Sequence, residues 1–106
     1  MPIIPLDEII TKEIFPGFQG KLVHSGRMTF AYWEIEPGND LPEHSHEHEQ
    51  VSHLLEGKFE FTIDGKKEII EPGKVVIIPS NVKHSGRALT FCRVLDAFCP
   101  VREDYK

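Results

Sequence analysis

Half of the chain's six histidines stand within seven residues, in the stretch "HSHEHEQ" from His44 to Gln50. If that stretch is extended, side chains at 44, 46, 48 and 50 point the same way, because strand side chains alternate with period two. His44 and His46 then grip one divalent ion, each giving a ring nitrogen at about 2.0–2.1 Å. The amide oxygen of Gln50 offers a further neutral donor. A mononuclear site needs more than two anchors, and His84, in the segment "NVKHSG", supplies one from a distant loop. The candidate metal ligands are therefore His44, His46, Gln50 and His84. The competing reading is a solvated histidine-rich turn with Glu43, Glu47 and Glu49 as its charge partners. His24 belongs to a turn and His53 has the opposite parity from Gln50, so both are expected to be exposed or satisfied in the core.

A second chemical signal lies near the end, in "LTFCRVLDAFCPVREDY" from Leu89 to Tyr105. Asp96 and Phe98 share parity with Cys92 and Val94, so a face that points inward aims a carboxylate at the interior. Pro100 ends that strand, and Arg102 lies just beyond it. A buried carboxylate needs a partner, either a metal-bound ligand or Arg102.

The elements that position these residues read as strands. At 106 residues the chain is one domain with a single core. Gly, Pro, Asn and Asp interrupt it every eight to twelve residues or so, the mark of an all-β sandwich or barrel. Strands are expected over 21–24, 28–35, 50–55, 58–63, 68–70, 75–78 and 89–98. In "KFEFTIDGK", Phe59, Phe61 and Ile63 share one face, and an Asp-Gly pair follows as a hairpin turn. "VVIIP" is apolar on both faces and is expected to lie in a covered sheet, stopped by Pro79. The stretch "IPLDEIITKEI" is the one helix-compatible piece, weakened by Pro5 and its isoleucines. The expected organisation is an N-terminal extension over 1–16, strand or short helix, and an all-β two-sheet barrel over 17–106.

A net charge of −5 without a Lys/Arg stripe argues against a nucleic-acid surface. No apolar run approaches the roughly 18 residues of a membrane helix. The acidic Asp7 and Glu8 and the missing small-residue cleavage site make the cytoplasm the expected compartment. Cys92 and Cys99, without C-x-x-C spacing, are expected to be two reduced, buried thiols.

Residues 38–57, "GNDLPEHSHEHEQVSHLLEG", resemble the first motif of the cupins, with Gly38, His44, His46, Gln50 in the usual glutamate place, and Gly57. Residues 73–84, "GKVVIIPSNVKH", resemble the second, with Gly73, Pro79 and His84. The resemblance implies a single-domain cupin jelly-roll barrel, and the short region from 58 to 72 is similar to that of minimal cupins. Asn81 stands where the second motif prefers glycine, and Ala88 where its fuller form has asparagine. Three imidazoles and an amide leave the ion's charge uncompensated, so such a site should attract an anionic ligand.

The histidine stretch and the tail "D-x-F-x-P-x-R-x-D", here Asp96, Phe98, Pro100, Arg102 and Asp104, resemble the KdgF-type cupins of pectin and alginate breakdown. That resemblance implies an enzyme converting 4,5-unsaturated monouronates to the linear 5-keto-4-deoxyuronate by ring opening and tautomerisation. It implies one divalent transition metal ion, Zn, Ni, Mn or Fe, with Asp96 moving a proton, Arg102 clamping the substrate carboxylate and Phe98 walling the ring. The implied partners are a small anionic sugar acid and a second copy of the chain in a homodimer, with neither nucleic acid nor membrane. Rival expectations are an Fe(II) dioxygenase, an isomerase of another sugar acid, and a non-catalytic binding module.

Overall fold

A computed structural model describes residues 2–106 as two antiparallel sheets packed face to face. Among the described residues the strands are β1 (Lys12–Phe15), β2 (Phe18–His24), β3 (Thr29–Ile35), β4 (Asp40–His44), β5 (Glu49–Glu56), β6 (Phe59–Ile63), β7 (Lys66–Ile70), β8 (Val75–Ile78), β9 (His84–Ala88) and β10 (Cys92–Cys99). The larger sheet runs β1-β2-β3-β10-β5-β8 and the smaller β4-β9-β6-β7. This is the expected all-β jelly-roll barrel, with helix among the described residues confined to two short 3-10 turns, Leu6–Glu8 and Glu103–Tyr105. No described helix is long and apolar enough to cross a membrane.

Alternation decides which side chains enter the barrel. On β3, Thr29, Ala31, Trp33 and Ile35 are buried while their neighbours face outward. On β10 the inward set is Cys92, Val94, Asp96 and Phe98, and on β5 it is Gln50, Ser52 and Leu54. The smaller sheet answers with Phe59 and Phe61 of β6, their rings 4.7 Å apart, and with Ala88 of β9. Burying each such phenylalanine contributes on the order of 1.5–3 kcal/mol. The Asp-Gly hairpin forms as expected: Asp64 and Gly65 both take positive φ and join Ile63 directly to Lys66.

Within the N-terminal extension, Leu6–Glu8 forms a 3-10 turn and Lys12–Phe15 forms β1, which pairs with β2. Several expectations change. The segments "DLPEH" and "HSGRA" are strands β4 and β9, although proline, glycine and polar residues give them the look of turns. The last strand starts at Cys92, because Leu89 to Phe91 serve the turn that closes on Gly57. A Cβ at Gly57, whose φ is +92°, would run into the carbonyl of Phe91. β8 is an edge strand with one open face: Ile78 is fully buried, but Val75 and Ile77 are exposed, so it is not covered on both sides. Cys92 is buried as expected, whereas Cys99 is exposed, since the odd positions of β10 face outward.

Candidate metal centre and its cavity

Strand pairing brings the histidines together. His44 at the end of β4 lies opposite His84 at the start of β9, with a register shift between Leu41 and His44 that turns both of those side chains inward. Such an irregularity re-aims a side chain without ending the pairing. The chain then bends through residues 45–48 before β5 begins, so the expected straight run from 44 to 50 does not exist. His46 reaches the cluster from this bend. His48 turns aside, and its Nε2 lies 3.2 Å from the Val101 carbonyl. The turn before β9 is fastened to the same bend, where the Asn81 amide donates to the His46 carbonyl at 2.7 Å. Asn81 has φ +65°, which explains the glycine preference at that place and why asparagine serves.

One nitrogen each of His44, His46 and His84 lies within 4.8 Å of the others. The three rings share one arrangement. Nδ1 of His44 is 2.8 Å from the Pro42 carbonyl, Nδ1 of His46 is 2.9 Å from the His48 carbonyl, and Nδ1 of His84 is 2.9 Å from the Val82 carbonyl. A carbonyl only accepts, so Nδ1 carries the proton and Nε2 presents a bare lone pair. Burial lowers the pKa of His46, and that of His84 to about 4, which keeps both rings neutral.

These donors fit a divalent ion. Nε2 of His84 is buried with no hydrogen-bond partner among the described residues. Nε2 of His46 faces Oε1 of Gln50 at 3.1 Å, two acceptors turned toward each other. A cation resolves both conditions at once.

The other expected residues gather on the same side. One cavity is lined by His44, Gln50, Asp96, Phe98, Arg102 and Tyr105, with Trp33, Phe59 and Phe61 among the residues that make its floor apolar. Asp96 is inside, as its parity required, and burial pushes its carboxyl up to about 6 against the pull of its hydrogen bonds. Those bonds come from the Ser52 hydroxyl, on Oδ1, and from the Trp33 indole N–H, on Oδ2 at 3.0 Å. Arg102 is not its ion-pair partner. The guanidinium binds Asp104 in a fork, Nε to Oδ1 at 3.0 Å and Nη2 to Oδ2 at 2.8 Å. It also lies in the corner formed by the mutually perpendicular Phe98 and Tyr105 rings, 4.7 and 4.0 Å from their centres. Burial works against its charge, but the bonds to Asp104 outweigh that and hold it cationic. Nη1 is left buried without a partner among the described residues. Of the two histidines set aside, His24 is satisfied by Thr29 at 2.8 Å, and His53 pairs across to Val75 and Leu95 on the outer face.

Three further residues beside the cavity had no signal in local spacing. Ser52 and Trp33 became visible only through their pairing with β10, and Tyr105 only through the 3-10 turn that folds it back over the barrel. Tyr105 packs edge-on against Trp33 and Phe98, and burial raises its phenol to about 12, so it stays protonated.

Comparison with known proteins agrees with this architecture. A family model described as "Cupin domain" matches residues 31–98. The chain belongs to the cupin family. This cupin is 34% identical over 102 residues, 93% of each chain, to the pectin degradation protein KdgF of Dickeya dadantii (strain 3937). Among solved structures it is similar to KdgF from Halomonas sp., with a TM-score of 0.92, 27% identity, and coverage of 100% of this chain and 99% of that one. It is also similar to an RmlC-like cupin from Shewanella frigidimarina, with a TM-score of 0.89, 25% identity, and coverage of 94% and 91%.

Proposed function

We propose that this cupin is a metal-dependent enzyme that converts 4,5-unsaturated monouronates, the cyclic sugars released in pectin or alginate breakdown, to the linear 5-keto-4-deoxyuronate. One observation carries the reading: a buried carboxylate, Asp96, and a desolvated guanidinium with an N–H unpartnered among the described residues, Arg102, line the same cavity as His44 and Gln50 of the donor cluster. The likeness to KdgF proteins supports it.

The reaction is an isomerisation, and its atoms balance within the substrate. The anomeric hydroxyl loses a proton, the bond from C1 to the ring oxygen breaks to leave an aldehyde, and the ring oxygen becomes the C5 enol oxygen. Proton transfer to C4 then completes the ketone. In this reading Asp96, hydrogen-bonded by Ser52 and Trp33, takes up and returns the proton. Nη1 of Arg102 binds the substrate carboxylate, pre-aligned because Asp104, Phe98 and Tyr105 leave the guanidinium no freedom. The Phe98 ring walls the sugar. His44, His46 and His84, with Gln50 beside them, would hold a divalent ion, which when bound would supply Lewis-acid stabilisation of developing enolate charge. The uncharged donor set leaves that ion attractive to an anionic substrate.

The apolar floor of Trp33, Phe59 and Phe61 favours a second reading, an Fe(II) dioxygenase built on the same three histidines. One experiment separates them. Purified protein is mixed with the unsaturated monouronate from a lyase digest, and loss of ultraviolet absorbance from the conjugated double bond is followed under argon. Acceleration that disappears in His46→Ala is the expected result. A rate equal to the blank, together with oxygen uptake by the iron-loaded protein, would replace the first reading with the second.

A further inference from the structure

Ser52 is nearly fully buried and faces inward from β5, between Gln50 on its own strand and Asp96 directly across on β10. Its Oγ accepts from Nε2 of Gln50 at 3.0 Å, and its single proton goes to Oδ1 of Asp96. A hydroxyl has one proton to give, and a carboxylate only accepts. With that proton spent on Asp96, the lone pairs of Oγ can receive only a donor, so the amide of Gln50 must turn its NH₂ toward Ser52. Its oxygen is then left facing Nε2 of His46, 3.1 Å away.

The opposite sense of the amide is sterically equivalent and chemically different. An inverted Gln50 would donate N–H to the lone pair of His46, occupying a metal ligand, and would set two N–H dipoles against a cation. From this we infer that Ser52 is a positioning residue: by spending its proton on Asp96 it fixes the polarity of Gln50, so that the amide oxygen, not the NH₂, faces the ion held by His44, His46 and His84. The same hydroxyl ties the ion-binding end of β5 to the proton-moving carboxylate of β10. The inference rests on the metal reading and adds to it a residue that touches neither ion nor substrate.

The test measures Zn²⁺ affinity by calorimetry, independent of turnover, in the wild-type chain, Ser52→Ala, Gln50→Glu and the double variant, with melting of each metal-free protein as the control for folding. Ser52→Ala is expected to weaken Zn²⁺ binding about fivefold, the effect of releasing one hydrogen bond. In the Gln50→Glu background the same change is expected to cost nothing measurable, because a carboxylate presents oxygen whichever way it turns. Equal losses in both backgrounds, or no loss in the wild-type background, overturn the inference while leaving the metal reading intact. A wild-type chain that binds no Zn²⁺ overturns both. Nuclear magnetic resonance of the labelled wild-type Zn²⁺ complex gives a reading free of variants: the Gln50 side-chain NH₂ should show contacts to Ser52 and none to the His46 ring, and the reverse pattern sinks the proposal.

Discussion

The two ends of this barrel are built by the same strands and have opposite chemistry. Along β5 the inward residues change from Leu54 to Ser52 and Gln50. Along β10 they change from Cys92 and Val94 to Asp96, and along β9 from Ala88 and Gly86 to His84. One end is therefore a packed apolar plug of Phe59, Ile35, Leu54, Cys92 and Ala88. The other collects buried polar groups, several of them short of partners. Apolar burial at the first end offsets what the second loses by desolvating Asp96, His84 and Arg102. A strand that ran apolar along its whole length would give a steadier barrel and no site.

Substitutions that strike one end should spare the other. The largest effect is expected from Asp96→Asn at the polar end, which removes the group proposed to move the proton and keeps its shape. The rate of uronate conversion should fall by about 10²- to 10⁴-fold, measured as initial rates, with the folded state at least as stable as before. At the apolar end, Leu54→Ala, in the core and outside the cavity lining, should lower unfolding free energy by about 2–5 kcal/mol in urea titration while the rate per folded molecule stays within a few-fold of normal. Equal damage to rate and stability from both changes would mean the ends are not separable.

A smaller effect sharpens the same contrast through pH. The folded-state pKa of Asp96 is raised from 3.8 to about 6. The buried carboxyl therefore holds its proton more tightly than in the unfolded chain. That contribution to stability is full below the unfolded pKa and is lost as pH rises through the folded one. In protein stripped of metal by a chelator, unfolding free energy should drop by roughly 3 kcal/mol between about pH 3.5 and 6.5 from this group. His84, its pKa lowered to about 4, contributes the opposite slope over the same window, so Asp96→Asn should gain stability relative to wild type as pH rises through it. An unchanged slope in the variant would assign the dependence to other groups.

Much of this was legible from residue types. Parity placed Asp96 and Phe98 inside, the Asp-Gly pair marked its hairpin, and the histidines that form the cluster were identifiable by spacing and motif. The geometry behind them was not. His44 and His46 meet His84 through an irregular strand end and a bend, not through a straight run, and only long-range pairing creates that. β4 and β9 escaped notice because Pro42 and Gly86 weaken local strand preference. Their pairing is imposed from outside, by β6 against β9 and by the Phe59 ring lying where a side chain at Gly86 would go. Ser52 and Trp33 had no local signal either, since their role comes from standing opposite or near a residue more than forty positions away. Arg102 chose Asp104, two residues on, because a fork-shaped ion pair at the rim keeps its charge satisfied while leaving one N–H for the cavity.

All three imidazoles take their orientation from main-chain carbonyls, those of Pro42, His48 and Val82. Side-chain identity around them is thus largely released from the duty of aiming the rings. The surrounding wall is free to be rewritten for a differently shaped guest while the clamp keeps its aim, which makes this small scaffold a natural starting point for retargeting by substitution at Phe98, Tyr105 and the aromatic floor.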